Sequence, residues 1–302
     1  MTFVRTYDAA TAPRGMLRHV LPLLGYPKLI WRNRYMIHNF FRRELMGRFH
    51  GSYLGVGWLL ARPLFQFAIY YFVFGILFGD LRGGKAPDTA HAIYLFSGVI
   101  FFYTLVEATS ICCNVVVANG NLVKKVAFPS ETLVIPVVLN ALVVYAVGAV
   151  VCIATGLAFG VLQPGWLLLG FVPLGVVMLV FMVGFGLLLA NANVFIRDVS
   201  QLWGLATMAW MFVTPVFWTP DLLYGKVKDG LGEQFTWIAD LFFNLNPAYS
   251  MLQASRLSLG GVDPLLGDFW MHMLWSSCWA VAAMVLGYSS FMSAKHKYAD
   301  LV

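Results

Sequence analysis

Few residue patterns in this sequence could carry out chemistry. The run Gly79-Asp80-Leu81-Arg82-Gly83-Gly84-Lys85 comes close to a phosphate-binding loop. The next residue is Ala86, whereas such a loop needs a Ser or Thr hydroxyl at that position to hold magnesium. We therefore interpret the run as a Gly-rich turn and expect no nucleotide site on this chain.

The four cysteines do not form a metal-binding pattern. Cys112, Cys113, Cys152 and Cys278 lie in apolar runs, without CxxC spacing and without a nearby His. This placement is typical of small core side chains. The sequence also lacks the HExxH, GxSxG and GxGxxG motifs. We expect no catalytic residue, no metal site and no cofactor on this chain.

One carboxylate, Glu107, lies inside a long apolar run. A carboxylate in lipid is costly and is by default a candidate for function. The alternative is a protonated Glu that is hydrogen-bonded to a neighbouring helix, and the sequence does not identify its partner. The other apolar runs carry no ladder of Asp, Glu and His, which disfavours a proton-coupled transporter.

The elements that position these residues are membrane helices. Thr132 to Ile196 are 65 consecutive residues without Asp, Glu, Lys or Arg. A helix needs about 20 apolar residues to cross a bilayer, so this stretch crosses more than once. Gln163-Pro164-Gly165 interrupts it and predicts a helical hairpin. The composition, 60% hydrophobic and 11% charged, also indicates an integral membrane protein.

The apolar runs predict six membrane-spanning helices. They are expected at Trp58–Gly79, Ile93–Val117, Leu133–Val161, Trp166–Asn191, within Val199–Pro220 and within Phe269–Ala294. With both termini in the cytoplasm, 15 of the 20 Lys and Arg residues lie on the inner side, which the positive-inside rule favours. The net charge of +6 is then a topology signal, and we expect no nucleic-acid partner.

The N-terminal region, residues 1–57, precedes the transmembrane domain of residues 58–302. Within it, Pro27–His50 predicts an amphipathic helix at the membrane interface. Its apolar face would carry Leu29, Ile30, Met36, Ile37, Phe40 and Phe41, and its polar face Lys28, Arg32, His38, Asn39, Arg42 and Arg43. Asn33 and Glu44 interrupt the apolar face. A simple anchor on anionic lipid is the alternative role.

The outer segment, residues 221–268, contains two apolar pieces that are too short to cross the membrane. Phe235–Leu245 and Tyr249–Leu259 are separated by Asn246-Pro247. Lengths of about 10 to 14 residues suit re-entrant or interfacial helices. We predict a helix–Pro–helix dip on the outer face that forms part of an exit route, with an ordinary loop lying flat on the protein as the alternative.

The most specific segment is a short cytoplasmic loop, Asn119 to Glu131. It combines apolar Leu122, Val123, Val126 and Phe128 with Lys124 and Lys125, and it could dock into a groove of a soluble partner. On physical grounds alone, a linker whose lysines fix the topology explains it equally well.

The run NLVKKVAFPSE in this loop resembles the coupling helix of ABC-2 exporter permeases, and within them the subunits that export lipid-linked polysaccharides. Three further elements are similar to the same family, so the resemblance extends from about Lys28 to Lys297. These elements are Phe41-Arg42-Arg43-Glu44 with Gly51–Trp58 and Arg62-Pro63; Asn193–Asp198 with Phe212–Phe217; and Asn244-Leu245-Asn246-Pro247.

The resemblance implies the partners. Such permeases are half-transporters: two copies form the pore, and two copies of a cytoplasmic ATPase, which holds ATP and Mg, bind below. It assigns contact with the ATPase to the loop, the N-terminal helix and the second cytoplasmic loop. The residues are Leu122, Val123, Lys124, Lys125, Val126, Phe128, Pro129, Ser130, Glu131, Arg42, Arg43, Glu44, Arg197 and Asp198.

A sugar polymer needs a wide path with aromatic faces, and the chain is 16% aromatic. Aromatic side chains at a membrane interface are also ordinary anchors, so each one has this alternative role. The candidates for the path are Phe65, Tyr70, Tyr71, Phe74, Phe101, Phe102, Tyr103, Glu107, Trp203, Trp210, Phe217 and Trp218, with Asn246, Pro247 and Tyr249 as an outer gate.

The sequence therefore predicts an all-α, multi-pass protein of the bacterial cytoplasmic (inner) membrane that exports a lipid-linked glycan. It leaves open whether the glycan is O-antigen, capsule or teichoic acid, and whether a periplasmic export partner receives it. Three rivals remain: an ABC-2 exporter of drugs or lipids, a membrane glycan ligase or polymerase, and a proton-coupled transporter.

Overall fold

A computed structural model describes residues 20–77, 88–125, 129–261 and 267–301 of the chain. Within these ranges the protein is all-helical and contains no strand. A helical turn at Val20–Leu23 precedes the numbered helices. They are α1 (Tyr26–Arg32), α2 (Arg34–Gly47), α3 (Trp58–Tyr70), α4 (Thr89–Ala118), α5 (Gly120–Lys125), α6 (Val134–Ala158), α7 (Phe171–Phe195), α8 (Val199–Val213), α9 (Asp221–Leu231), α10 (Trp237–Leu245), α11 (Pro247–Ser258), α12 (Phe269–Ala294) and α13 (Tyr298–Leu301).

Five helical stretches of the described residues are long and apolar enough to cross a membrane. They are Gly55–Leu77, Thr89–Ala118, Ser130–Ala158, Trp166–Phe195 and Phe269–Lys297. The first consists of a 3-10 turn, Gly55–Gly57, followed by α3 and a π-helical continuation, Tyr71–Leu77. The predicted hairpin is confirmed, because α6 ends at Ala158 and the chain is helical again from Trp166.

The helix predicted within Val199–Pro220 is shorter than expected. α8 has 15 residues and so extends about 22 Å, less than the roughly 30 Å of a bilayer core. It ends at Val213 because Thr214 precedes Pro215 and adopts an extended conformation with ψ of 137°. By its length alone, α8 therefore does not qualify as a sixth membrane span.

The core is formed by α4, α6, α7 and α12. α4 lies at its centre and packs extensively against α6 and α7, while α7 and α12 form the most extensive helix pair. Large side chains such as Phe96, Leu105, Leu174 and Phe181 are fully buried between them. α3 and α8 pack less extensively against this core.

α7 and α12 cross in direct backbone contact at two glycines. A Cβ atom at Gly287 would lie 1.8 Å from the carbonyl oxygen of Gly184. A Cβ atom at Gly184 would lie 2.4 Å from backbone atoms of Met284. Small residues allow this approach, which brings a large area of both helices into van der Waals contact.

The N-terminal region is amphipathic, as predicted, but it forms two helices. They break at Asn33, whose side-chain Nδ2 donates to the carbonyl of Leu29 at 2.8 Å. All six residues predicted for the apolar face are buried or half-buried, and all six predicted for the polar face are exposed. α2 lies along α6.

The predicted outer segment contains three α-helices within its described residues, rather than two. α10 and α11 match the predicted pieces, whereas α9 (Asp221–Leu231) was not predicted. α11 follows the Asn246-Pro247 corner, where the Asn246 side chain accepts from the amide of Ala248 at 3.1 Å. Every residue from Ala248 to Gly260 is buried, since α11 lies against α12, α4 and α7.

We predict that Gly287→Ala destabilises the protein by about 1–3 kcal/mol, the usual range for overpacking. The obstacle is backbone, which cannot rotate away as a side chain could. Thermal unfolding of the purified protein in detergent measures the effect. The control is Gly175→Ala in α7, where no atom lies within 4 Å of the added methyl group. Equal melting temperatures for the two variants would contradict the packing described.

Candidate functional site

The loop between α4 and α6, predicted to be cytoplasmic, begins with the short helix α5. Leu122 and Val123 pack against the core, and Lys124 is exposed. α5 contacts the C-terminal helix α13. Val126, Phe128 and the side chain of Lys125 lie outside the described residues. The described part of the loop thus has an apolar face turned inward and a basic face turned outward.

A buried ion pair holds the far end of this loop. Glu131 is only 4% exposed, and Nζ of Lys295 lies 2.5 Å from its Oε2. The hydroxyl of Tyr26 donates to the backbone carbonyl of Glu131 at 2.8 Å. Ser130 is also buried. Glu131 therefore holds this end of the loop against the protein, and the exposed Lys124 lies before it in the chain.

Tyr298 extends this cluster to the end of α7. Its hydroxyl donates to Oδ1 of Asn191 at 2.8 Å, and its ring lies 6.4 Å from that of Phe195. Burial, together with the nearby Glu131, raises the pKa of both Tyr298 and Tyr26. Both phenols therefore stay protonated and act as donors. The N-terminal helix α1, the loop that ends at Glu131, the end of α7 and the C-terminal segment meet at this cluster.

The loop between α7 and α8 is exposed. Arg197 and Asp198 are exposed, as are their apolar neighbours Phe195 and Ile196. No ion pair within the described ranges involves Arg197 or Asp198. Asp198 occupies the position before α8, although its side chain makes no capping hydrogen bond.

Glu107 pairs with Arg48, the partner that the sequence did not identify. Nη1 of Arg48 lies 2.6 Å from Oε1 of Glu107, and Nη2 lies 3.6 Å from Oε1 of Glu44. Burial raises the pKa of Glu44, although the positive charge of Arg48 opposes this. The pair joins the end of α2 to the middle of α4. Arg42 and Arg43 are exposed, with the Arg43 guanidinium 4.5 Å from the Phe40 ring centroid.

Glu107 belongs to a polar face of α4 that the rest of the chain covers only in part, since Arg48 contacts Glu107 and Nδ2 of Asn193 donates to Oδ1 of Asn114 at 3.2 Å. Tyr103, Glu107, Ser110 and Asn114 follow each other at helical spacing, and all are exposed or half-exposed. Tyr70 of α3 lies beside Tyr103. This face runs along a helix that is otherwise apolar and largely buried, and α3 and α8 also pack against α4.

The other path candidates are distributed differently. Phe101 and Phe102 are fully buried, Phe101 against Tyr145, so neither can contact a substrate in this conformation. Phe65 is exposed on α3, and Tyr71 and Phe74 are half-exposed. The half-buried Trp203 and Trp210 attach α8 to the core, with Trp203 Nε1 donating to Oγ1 of Thr109 at 3.2 Å. Phe217 and Trp218 are half-buried near the corner that follows α8.

The residues predicted as an outer gate lie at a hydrogen-bonded corner. Oδ1 of Asn246 accepts from Nε1 of Trp210 at 2.8 Å, and its Nδ2 donates to Oγ1 of Thr214 at 2.9 Å. Tyr249 is buried, with its ring 4.4 Å from that of Phe243. Asn246 therefore fixes the start of α11 to the end of α8, and Tyr249 packs α11 against α10.

Sequence reasoning missed Arg256 as an internal residue, because it counted as an outer loop charge. Arg256 is 3% exposed and donates to the carbonyls of Pro215, Val216 and Tyr94 at 3.0–3.3 Å. Its guanidinium lies 3.6 Å from the Tyr94 ring centroid. Gly98 leaves the space for it, since a Cβ there would lie 2.6 Å from Nη2. Arg256 ties α11 to α4 and to the segment after α8.

Comparison with known proteins identifies the family. The model of the ABC-2 type transporter family matches residues 36–230, which include most of α2, the loops after α4 and α7 and the polar face of α4. The chain belongs to the ABC-2 type transporter family. It is a membrane transport protein, and the five long apolar helices agree with a multi-pass arrangement.

The curated relatives carry a consistent name. The chain is 22% identical over 261 residues to an O-antigen export system permease protein, RfbA, of Klebsiella pneumoniae, covering 86% of this chain and 92% of the relative. It is 23% identical over 189 residues to the protein of the same name from Myxococcus xanthus, covering 63% of this chain and 70% of the relative. The resemblance stated from the loop and its flanking elements is confirmed.

The buried pair at the loop gives a direct test of its anchoring. We predict that Lys295→Met destabilises the protein by about 2 kcal/mol, since it leaves the Glu131 carboxylate buried without its cation. This loss of stability is smaller than the loss expected on breaking a fully buried pair, because Lys295 is partly exposed. Hydrogen exchange of residues 129–134 should accelerate, and the melting temperature should fall.

Lys297→Met is the matched control, because Lys297 is exposed two residues further along. The double variant Glu131→Gln with Lys295→Met should recover part of the loss, since it leaves no buried charge. If Lys295→Met and Lys297→Met behave alike, Lys295 does not anchor the loop.

Proposed function

We propose that this chain is the transmembrane subunit of an ABC transporter that exports a lipid-linked polysaccharide across the bacterial cytoplasmic membrane. The similarity to O-antigen export permeases over 86% of the chain carries this proposal. The partly exposed polar face of α4 supports it, because hydroxyl and amide groups suit a glycan and would be costly against lipid. The subunit performs no covalent chemistry.

The energy source is a separate ATPase, which holds ATP and Mg. Its proposed docking surface is the outward part of the α5 loop, the exposed Arg42 and Arg43 of α2, and Arg197 with Asp198. The cluster around Glu131 and Tyr298 supports a single docking surface. It connects the end of the α5 loop to α1, which leads into α2, and to the end of α7.

The proposed topology has six spans with both termini in the cytoplasm. α8 and the following residues up to Pro220 form the fifth span, and α9 to α11 form the outer segment, with α10 and α11 as its re-entrant part. The distribution of Lys and Arg supports this orientation. The burial of all residues from Ala248 to Gly260 supports a helix at membrane depth, since such a helix must be covered by protein.

Two copies of the chain form the path. The polar face of α4 would be unfavourable towards lipid, and a second copy facing it would enclose a polar route. ATP binding closes the two ATPase subunits, and the movement passes through the α5 loop and α2. The route between the copies then opens, and the glycan is reoriented or threaded outward in steps.

We predict that the polar faces of two copies oppose each other. A Tyr103→Cys variant in a Cys278→Ser background should form a covalent dimer with a membrane-permeable bis-maleimide, because Tyr103 is exposed on that face. Denaturing gel electrophoresis detects the dimer. Val176→Cys, exposed on α7, is the control and should remain monomeric. Equal cross-linking at both positions would contradict the interface.

A second prediction tests the function itself. Deletion of the gene should remove the glycan from the cell surface and leave its lipid-linked form inside, and the intact gene should restore export. The variant Lys124→Glu, Lys125→Glu, Phe128→Ala should insert in the membrane but reduce surface glycan at least about tenfold, because it reverses the charge of the coupling surface. Antibody labelling of intact and permeabilised cells measures both pools.

The control is Lys124→Arg with Lys125→Arg, which keeps the charge and should support normal export. Normal export by the charge-reversed variant would remove the coupling role of the loop. Intact surface glycan in the deletion strain, with a gain in drug sensitivity, would favour an exporter of drugs or lipids instead.

A further inference from the structure

A groove lies between the N-terminal helices and the α6–α7 hairpin. Its volume is about 830 Å³, within the range of small-molecule binding sites. Nearly all its lining is aliphatic or aromatic, with Ile30 and Phe41 on one wall and Leu139, Leu142 and Val180 on the other. Leu139, Leu142 and Val180 are only half-buried, so the groove is open to the surface of the chain.

The groove has a basic edge on α2. Arg34 and His38, one helical turn apart, also line it. The Arg34 guanidinium lies 4.4 Å from the ring centroid of Tyr35 and 5.1 Å from that of Trp31. Within the described ranges Arg34 has no carboxylate partner. Both aromatic rings are 71% exposed, as is typical of side chains at a membrane–water interface.

The surrounding charge is of one sign. Residues 9–43 contain no Asp or Glu, whereas α1 and α2 carry Lys28, Arg32, Arg34, Arg42 and Arg43. A basic edge next to an apolar groove matches an amphiphile with an anionic head and a hydrocarbon tail. Around a membrane protein, the most abundant amphiphile with an anionic head is an anionic phospholipid.

We propose that this groove is a binding site for an anionic phospholipid of the inner leaflet. An acyl chain occupies the apolar groove, and the phosphate lies at Arg34 and His38. The site depends on the proposed position of α1 and α2 at the membrane surface, but not on the exported substrate. A bound lipid would hold α2 against α6.

The groove is separate from the proposed glycan path. Tyr145 and Gly148 of α6 face α4, where Tyr145 contacts Phe101 and Gly148 lies beside Ile100. Leu139, Leu142 and Ala146 line the groove from another side of the same helix. α6 therefore stands between the groove and α4, so the occupant is a bilayer lipid rather than the lipid carrier of the glycan.

The test is native mass spectrometry of the purified full chain, mixed with phosphatidylglycerol or phosphatidylcholine of identical acyl chains. The wild type should retain phosphatidylglycerol at least about fivefold better, the effect of one cation near a lipid phosphate. Arg34→Gln with His38→Gln should abolish this preference. Val180→Trp, which fills the groove, should reduce the retention of both lipids.

Arg32→Gln is the matched control, because Arg32 is exposed on α1 but does not line the groove. It should keep the preference. Arg34 and His38 are exposed, so their variant tests the site even if Val180→Trp does not fold. Equal retention of both lipids by the wild type, or an unchanged preference in the Arg34, His38 variant, would overturn the proposal. Displacement of phosphatidylglycerol by an equimolar polyisoprenyl phosphate would instead assign the site to the glycan carrier and also overturn it.

Discussion

The cost of removing charge from water governs where the few ionic groups of this protein lie. A charge in a low-dielectric surrounding needs a partner or several hydrogen bonds. The described structure meets this need in two ways. Glu131 is paired with Lys295, and Arg256 is held by three backbone carbonyls and the face of Tyr94. Each arrangement joins segments that are far apart in the chain.

These polar ties occupy the two ends of the protein and connect its least firmly packed elements to the core. At one end, Glu131, Lys295 and Tyr26 join the loop after α5 to both terminal regions. At the other end, Arg256 and Asn246 fix the segment that follows α8. Arg48 and Glu107 form a third tie, between α2 and α4. A displacement of α2 or of the loop would therefore act on α4 directly.

The sequence predicts the features of this fold that depend on hydropathy and local chain breakers. The bounds of α12 agree with the predicted helix at both ends, and Gln163-Pro164-Gly165 correctly divides the long uncharged run. The partners of side chains in the tertiary structure cannot be predicted in this way, because no local sequence pattern identifies them. Lys295 was visible only as one of several basic residues at the inner side, and Arg256 counted as a loop charge although it is buried.

The same distinction applies to helix contacts. The Gly75/Gly79 and Gly156/Gly160 pairs have the spacing of a contact motif, but Gly79 lies outside the described residues and a Cβ at Gly156 would meet Leu162 of its own turn. The closest helix crossing instead uses Gly184 and Gly287, which lie more than 100 residues apart and form no motif. Which side of a helix is buried depends on all the helices that pack against it. The spacing of two glycines therefore does not predict which helix faces meet.

Packing also indicates which parts can move. Within the most apolar part of each helical stretch, 67% of the residues of Thr89–Ala118 are buried, but only 17% of those of Gly55–Leu77. The latter contains Pro63 and the π-helical Tyr71–Leu77, both of which weaken regular helical hydrogen bonding. α8 is likewise mostly exposed and ends at Val213, just before Thr214-Pro215. The core of α4, α6, α7 and α12 is firmly packed, whereas α3 and α8 are loosely attached to it. Displacing α3 or α8 would break few buried contacts, so the proposed path could widen while the core keeps its packing.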